Sequence, residues 1–262
     1  MLTHLSLCSG IGGIDLAAQW AGFINIGHSE IDPFACQVLA KNFKGVKNYG
    51  DIKKITAKSC PELRAVTVIS AGFPCQPYSD AGKRLSTQDD RDLWPEVFRV
   101  IKELRPAWFI GENVAGFINL GLDKTITDLE SQNYTARAFV LPACSVGADH
   151  IRSRVFIVAY ANSKRRCVLA HGEKDRCANV NFKEFNHTFT QRSQSLTEDV
   201  FRFYVERLFT NPSSGIHRND DGLSLGLDRL RCLGNAVVPQ QVYPILKAIA
   251  EIENIVRNKK TD

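Results

Sequence analysis

Apolar residues along this chain fall into short runs typical of buried strands and longer stretches with helical spacing. In the first part of the chain, the strand-like runs cover residues 5–8, 23–30, 48–52, 66–69 and 107–110. The intervening stretches with helical spacing cover residues 14–21, 32–43 and 93–104. Because strands and helices alternate in this order, the pattern predicts an α/β fold with a largely parallel sheet.

The later part of the chain continues this pattern and then changes in composition. Here a helix is predicted over 124–131, strands over 135–141 and from about 152, and an amphipathic helix over 240–257. Residues 162–225 are polar and basic and show little aliphatic periodicity. We therefore predict a core at 1–161, an inserted region at 162–225, and a segment at 226–262 that returns to the core.

Length and composition narrow the class of protein. The 262 residues suffice for one well-buried α/β domain with a modest insertion, or for two small domains. A net charge of +5 permits a nucleic-acid partner without requiring one. No apolar run approaches the roughly 18 residues of a membrane span, and the N-terminus lacks the pattern of a signal peptide. We expect a cytoplasmic protein whose eight scattered cysteines are reduced.

The ends of the first predicted strands carry residues suited to binding a nucleotide. A glycine-rich turn at 9–13 follows the first strand, and acidic residues, Glu30 and Asp51, end the next two. Glycines let the backbone approach a ligand, and a carboxylate at a strand end can hold ribose hydroxyls. The glycine spacing is not Gly-x-Gly-x-x-Gly, so a dinucleotide is not specifically indicated. The alternatives are a tight structural turn and solvated loop carboxylates.

A second group of candidate residues lies at the ends of the central strands. Cys75 stands between Pro74 and Pro77, just after the run at 66–69. Considered alone, Cys75 is more simply explained as a small buried residue. Glu112 follows the neighbouring run at 107–110, where burial would raise its pKa and suit it to donate a proton.

Basic residues occur in three further places. The polar stretch at 80–92, which includes Lys83 and Arg84, is either a mobile lid that contacts phosphate or an ordinary surface loop. Arg152 and Arg154 alternate at strand spacing, and the pattern alone predicts that they face solvent. A third basic run lies between residues 164 and 176. The cysteines and histidines near this run are Cys167, His171, Cys177 and His187. Their spacing fits no familiar zinc pattern, so no metal site is predicted.

Taken together and in this order, seven short blocks resemble the DNA (cytosine-5) methyltransferases. The blocks are residues 7–13 (LCSGIGG), Glu30, 51–52 (DI), 72–76 (GFPCQ), 112–114 (ENV), 152–154 (RSR) and 234–237 (GNAV). They cover the first 160 residues and about the last 30, whereas 162–225 corresponds only in position to the family's variable target-recognition region. Two departures from the usual pattern are Ile31, where many members have a bulky aromatic residue, and His150, where glutamine is usual.

The resemblance implies a Rossmann-like S-adenosylmethionine-dependent methyltransferase core with a small inserted target-recognition lobe and DNA in the cleft between them. By this resemblance Glu30 holds the ribose and Asp51 the adenine of the cofactor. The full set of implied cofactor residues is Cys8, Ser9, Gly10, Ile11, Gly12, Gly13, Glu30, Ile31, Asp51, Ile52, Pro74, Leu93, Asn235 and Ala236.

The resemblance also implies a covalent mechanism. Cys75 would add to C6 of a cytosine flipped out of the duplex, and a protonated Glu112 would bind N3 of the ring. Arg154 would bind the O2 side, and Arg152 would orient Arg154 or a nearby phosphate. Asn113 would hold the loop of Glu112. The implied DNA contacts are Gln76, Ser79, Lys83, Arg84, Lys164, Arg165 and Arg166.

Other functions remain open at this level. A tRNA cytosine-5 methyltransferase of the Dnmt2 type shares the same core, and a catalytically silent DNA-binding homologue would keep the fold without the reaction. A generic NAD enzyme is disfavoured because the glycine spacing is wrong. We expect a monomer that acts on double-stranded DNA and has no membrane partner. A cognate restriction endonuclease would be a further partner.

Overall fold

The computed structural model describes three ranges of the chain, residues 1–74, 92–162 and 236–258. The predicted loop at 80–92 lies outside them except for Asp92, and the predicted insertion at 162–225 lies outside them except for Asn162. Several predicted site residues also lie outside the described ranges: Cys75, Gln76, Ser79, Lys83, Arg84, Lys164, Arg165, Arg166 and Asn235. So do the cysteines and histidines considered for a metal: Cys167, His171, Cys177 and His187.

The described residues form one six-stranded sheet. In chain order the strands are β1 (Thr3–Leu7), β2 (Ile24–Ser29), β3 (Val68–Ala71), β4 (Trp108–Val114), β5 (Tyr134–Leu141) and β6 (Arg154–Ala161). Their spatial order is β2-β1-β3-β4-β6-β5. The first four strands pair in parallel, as the alternating pattern predicts, whereas β6 pairs antiparallel with both β4 and β5. The result is a Rossmann-like α/β sheet that ends in an antiparallel hairpin.

Helices connect the strands and cover both faces of the sheet. They are α1 (Gly13–Trp20), α2 (Pro33–Asn42), α3 (Trp94–Leu104), α4 (Leu122–Ser131) and α5 (Pro239–Asn258). The start of α2 shows why such bounds could be predicted: Asp32 caps the helix by accepting bonds from two backbone amides, and Pro33 occupies the first turn. No helix in the described part of the chain is long and apolar enough to cross a membrane.

The strand predicted over residues 48–52 is wrong. Only Asn48 pairs with a neighbouring strand, through an isolated bridge to His28. Asp51 instead caps a short 3₁₀ turn at Ile52–Lys54, and its carboxylate accepts a bond from the Lys53 amide at 2.9 Å. Asparagine, glycine and aspartate favour such local turns, and this preference outweighs the tendency to form a ladder.

Two apolar layers enclose the sheet, and β4 contributes to both. Phe109 points into the layer beneath α3 and α4, whereas Trp108 and Ile110 point into the layer beneath α1 and α5. All three side chains are essentially inaccessible to solvent. The indole Nε1 of Trp108 donates a hydrogen bond of 2.8 Å to Glu253 on α5, so this long-range pair satisfies a buried polar group on each partner.

We expect the packing of α5 to contribute strongly to stability. Ile249→Ala should lower the free energy of unfolding by about 2–5 kcal/mol, because Ile249 is fully buried and its truncation leaves a cavity. The matched control is Ile255→Ala on the same helix, where the side chain is 54% exposed and the loss should be well under half as large. Urea unfolding monitored by circular dichroism measures both, and equal losses would contradict this account of the packing.

Candidate functional site

The carboxyl ends of four neighbouring parallel strands meet at one edge of the sheet. The glycine-rich turn follows β1, Glu30 follows β2, residues 72–74 follow β3, and Glu112 lies near the end of β4. Ligands of open α/β sheets bind at this edge. The structure therefore brings most of the described candidate residues to one region. The pattern at 107–110 predicts that Glu112 follows the strand. In the structure β4 is longer and includes Glu112.

The glycine-rich turn has no space for side chains at two positions. A Cβ atom on Gly12, whose φ is +87°, would lie 2.4 Å from the ring of Phe43. One on Gly13 would lie 2.5 Å from the carbonyl oxygen of Val237. Both distances are far below van der Waals contact, so the approach of α2 and of the segment before α5 requires glycine here. Gly10, also at positive φ, faces open space.

The carboxylate of Glu30 is fixed beside this turn by backbone amides. Its Oε2 accepts a bond of 2.7 Å from the Gly10 amide, and its Oε1 accepts bonds of 2.8 Å from the amides of Ile31 and Asp32. Three amide donors hold a carboxylate firmly in place. The Ile31 side chain is 71% exposed, so it offers an apolar surface next to that carboxylate.

The remaining predicted cofactor residues are spread around the same edge. Ile52 is buried under the turn that Asp51 caps, and Leu93 packs partly buried against the core just before α3. Pro74 is exposed and is the last described residue before Cys75. Ala236 lies on the segment leading into α5, where its carbonyl oxygen accepts a bond from Arg152.

Glu112 is a buried carboxyl that faces the end of β3. It is 7% exposed, and its Oε2 would lie 3.4 Å from a Cβ placed on Gly72, which leaves little space for any larger residue there. Arg154 Nε lies 3.0 Å from Oε1 of the same carboxyl. Burial raises the pKa of Glu112 to about 7, although the positive charges of Arg154 and Arg152 act in the opposite direction. Both protonation states of Glu112 are therefore populated near neutral pH.

The prediction that the two arginines face solvent from one strand is wrong. Arg154 is the first residue of β6, and the antiparallel pairing with β4 brings its side chain, which is 14% exposed, to Glu112. Arg152 precedes the strand, with a φ of +29°, and donates a bond of 2.7 Å to the Ala236 carbonyl. The period-two pattern could not reveal this, because the partners lie far away in sequence.

Asn113 ties β4 to the chain that leads into Cys75. Its Nδ2 donates to the carbonyl oxygen of Phe73 at 3.3 Å, and its Oδ1 accepts from the Val114 amide at 2.9 Å. Since Asn113 is 3% exposed, water competes little for these bonds. The side chain thus holds the backbone two residues before Cys75 against the strand that carries Glu112.

A buried polar network beneath the site was not predicted from the sequence. His4 bonds to Asn25 and to Ser70, both at 2.8 Å, while His28 bonds to Asp15 at 3.0 Å. Burial lowers the pKa of His4. The network links β1, β2 and β3 to the first turn of α1. Polar residues inside otherwise apolar strand runs were the available signal, but sequence alone could not show which partners would satisfy them.

Gln241 is a second residue that sequence reasoning missed. It is fully buried in the first turn of α5, and its Nε2 donates to the carbonyl oxygens of Leu141 and Arg152 at 2.6 and 3.1 Å. This side chain joins α5 to the end of β5 and to the backbone of Arg152. The only signal in the sequence was a polar residue at the edge of the predicted amphipathic helix.

A cavity of 770 Å³ adjoins the glycine-rich turn from the side of α1 and α2. Its described lining includes Ile11–Gly13, Phe43, Arg152 and residues 236–239, but neither Glu30 nor Asp51. The volume is in the range of small-molecule sites. The cavity therefore includes part of the predicted cofactor set, the glycine-rich turn and Ala236, but not the two acidic residues.

Comparison with known proteins gives a consistent picture. The family described as C-5 cytosine-specific DNA methylase matches residues 2–221. Type II methyltransferase M.NgoMIV of Neisseria gonorrhoeae is 33% identical over 165 residues, which cover 61% of this chain and 52% of the relative. Type II methyltransferase M.BanI of Aneurinibacillus aneurinilyticus is 32% identical over 231 residues, covering 84% and 51%. The chain thus spans about half the length of these curated relatives.

A solved structure agrees with the sheet described above. The crystal structure of a Spodoptera frugiperda DNMT2 mutant superposes with a TM-score of 0.53 at 26% sequence identity. The match covers 68% of this chain and 54% of that one.

We expect Arg154 to keep the pKa of Glu112 from rising further. Arg154→Ala should move this pKa above 7, because it removes the nearest positive charge from a buried carboxyl. The control is Arg137→Ala on an exposed position of β5, which should leave the pKa unchanged. Carbon-13 NMR titration of labelled glutamate, assigned with Glu112→Gln, measures the value, and a lower pKa in Arg154→Ala would contradict the expectation.

Proposed function

Because the chain belongs to the C-5 cytosine-specific DNA methylase family, we propose that it transfers a methyl group from S-adenosylmethionine to C5 of cytosine in double-stranded DNA. The observation that carries this proposal is the buried carboxyl of Glu112, whose pKa is raised to about 7. This carboxyl faces Gly72, in the segment that leads from β3 to Cys75. A carboxyl in this state can donate a proton to a ring nitrogen at physiological pH.

The chemistry accounts for the residue types. C5 of cytosine is too weak a nucleophile to accept a methyl group directly. In the proposed reaction the thiolate of Cys75 forms a bond to C6, and the electron pair displaced from the C5–C6 double bond makes C5 reactive. C5 would then form the bond to the methyl group, with S-adenosylhomocysteine as the leaving group. A base then removes the proton at C5, the double bond re-forms, and Cys75 leaves as thiolate.

Glu112 and its neighbours ease the addition step. The protonated carboxyl donates to N3 of the ring and so stabilises the negative charge that develops as Cys75 adds. Arg154, already within 3.0 Å of Glu112, binds the O2 side of the base. Asn113 holds the chain that leads to Cys75 through its bond to Phe73. Arg152 joins this group to the segment before α5 through Ala236.

The residues present fit S-adenosylmethionine. Glycine is required at two positions of the turn after β1, and the Glu30 carboxylate is fixed next to that turn. In the proposed site Glu30 binds the ribose hydroxyls and Asp51 the adenine amino group, and Ile31 offers its exposed surface to the adenine ring. When bound, S-adenosylmethionine supplies an electrophilic methyl group on a sulfonium ion.

The substrate base must leave the duplex for this reaction. Neither Cys75 nor Glu112 could reach C6 and N3 of a stacked cytosine, so the target nucleotide is flipped out of the helix. Lysines and arginines at 83–84 and 164–166 bind phosphates in this proposal, and affinity for DNA should fall with rising salt. The type II names of the relatives favour a modification enzyme that works beside a restriction endonuclease.

The resemblance to the family leaves one alternative substrate, tRNA, and a DNMT2 structure shares this fold. Transfer of a radiolabelled methyl group to duplex DNA or to tRNA, under the same conditions, separates the two. We expect incorporation into DNA, whereas incorporation into tRNA alone would overturn the proposed substrate. Bisulfite sequencing of the methylated DNA would then identify the target cytosines.

Cys75→Ser should abolish methyl transfer and leave cofactor binding largely unchanged, because a serine hydroxyl is a far weaker nucleophile than a thiolate. Labelled methyl transfer measures the first property and isothermal titration with S-adenosylmethionine the second. The control is Cys144→Ser, an exposed thiol of the described chain, which should keep full activity. Full activity in Cys75→Ser would remove the covalent mechanism.

The activity should depend on the protonation of Glu112. Its pKa is raised to about 7, so the proton-donating form is present below that pH and is lost above it. We therefore expect kcat/KM to fall as the pH rises through 7. In Glu112→Gln, kcat/KM should be about 10²–10⁴-fold lower and this falling limb should be absent. The control, Glu130→Gln on the exposed face of α4, should keep the wild-type profile. An unchanged falling limb in Glu112→Gln would contradict the assignment.

A further inference from the structure

Asn48, an exposed residue of the turn before Asp51, bonds to both backbone groups of Glu30. Its Oδ1 accepts from the Glu30 amide at 3.1 Å, and its Nδ2 donates to the Glu30 carbonyl at 3.0 Å. A side-chain amide that pairs with both backbone groups of one residue restrains the two peptide units that flank that residue.

The same side chain also reaches the two segments next to Glu30. Its Oδ1 accepts a second bond from the Gly50 amide at 3.0 Å, and its Nδ2 lies 3.2 Å from the Cys36 sulfur on α2. The Cys36 thiol in turn donates to the Glu30 carbonyl at 3.3 Å. Asn48 therefore connects the end of β2, the start of α2 and the residue that precedes Asp51.

We infer that Asn48 is a positioning residue for the cofactor: it sets the placement of the Glu30 carboxylate against the ribose and couples it to the turn that carries Asp51. This inference rests on the proposed function, because it assumes that Glu30 and Asp51 bind the nucleoside. Residues 48–52 form no strand, and a single bridge joins them to β2: the His28 amide donates to the Lys47 carbonyl at 2.9 Å, and the Tyr49 amide donates to the His28 carbonyl at 2.8 Å. The Asn48 side chain adds the bonds that reach Glu30 itself.

The geometry makes the role separable from general stability. Asn48 is exposed and lies outside both apolar layers, so its removal leaves no cavity in the core. What is lost is the network of bonds to Glu30, Gly50 and Cys36. Removing the Asn48 side chain should therefore weaken the binding of ligands whose ribose hydroxyls contact Glu30.

The test compares Asn48→Ala with the wild-type full chain in binding S-adenosylhomocysteine and its 2′-deoxy analogue, measured by isothermal titration. We expect Asn48→Ala to bind S-adenosylhomocysteine about tenfold more weakly, which corresponds to the net worth of one or two hydrogen bonds. Binding of the 2′-deoxy analogue should weaken by less than about threefold, because that ligand already lacks one of the two hydroxyls that Glu30 binds. The control, Gln37→Ala on an exposed position of α2, should bind both as wild type does.

The outcomes are distinguishable. Equal weakening toward both ligands, or no weakening toward either, would overturn the role of Asn48 while leaving the proposed cofactor site intact. Failure of the wild-type chain to bind S-adenosylhomocysteine would instead overturn the proposed function, and the inference with it. Methyl transfer measured over a range of S-adenosylmethionine concentrations adds a kinetic readout: Asn48→Ala should raise KM for the cofactor and leave kcat nearly unchanged.

Discussion

Removing the carboxyl of Glu112 from water is the constraint on which the site depends. The ionised form of a buried carboxyl is costly, and the fold compensates for this in part by placing Arg154 beside it. Desolvation remains the larger effect, so the pKa is held near neutrality and well above the value in water. An exposed carboxylate would be ionised at neutral pH, whereas a buried carboxyl without a nearby arginine would have a still higher pKa.

That balance requires strands from distant parts of the chain. Glu112 lies on β4, Arg154 comes from the antiparallel strand β6, and Gly72 follows β3. Asn113 then joins the end of β3 to β4 through the Phe73 carbonyl. The antiparallel hairpin at the end of the sheet is therefore part of the site. If β6 ran parallel to β4, its first residue, Arg154, would lie at the opposite end of the sheet from Glu112.

The cofactor side of the site is organised differently, by hydrogen bonds between polar side chains and backbone groups. Three amides fix the Glu30 carboxylate, Asp51 caps its own turn, and Asn48 connects the two acidic residues. The buried network of His4, Asp15 and their partners connects the strands and the helix that adjoin these turns. Bonds of this kind hold exposed backbone in place where no sheet ladder is available.

Hydrophobic periodicity and short motifs are local properties, so the sequence was enough to predict the α/β class, most of the alternating strands and helices, and the motifs that resemble the family. It could place Glu112 beside the Cys75 segment because adjacent runs of this kind pair in parallel. The periodicity of the sequence could not show that Arg154 lies against Glu112, that Arg152 bonds to Ala236, or that Asn48 bonds to Glu30. Those features depend on contacts between residues far apart in the chain, and only the tertiary structure brings such residues within hydrogen-bonding distance.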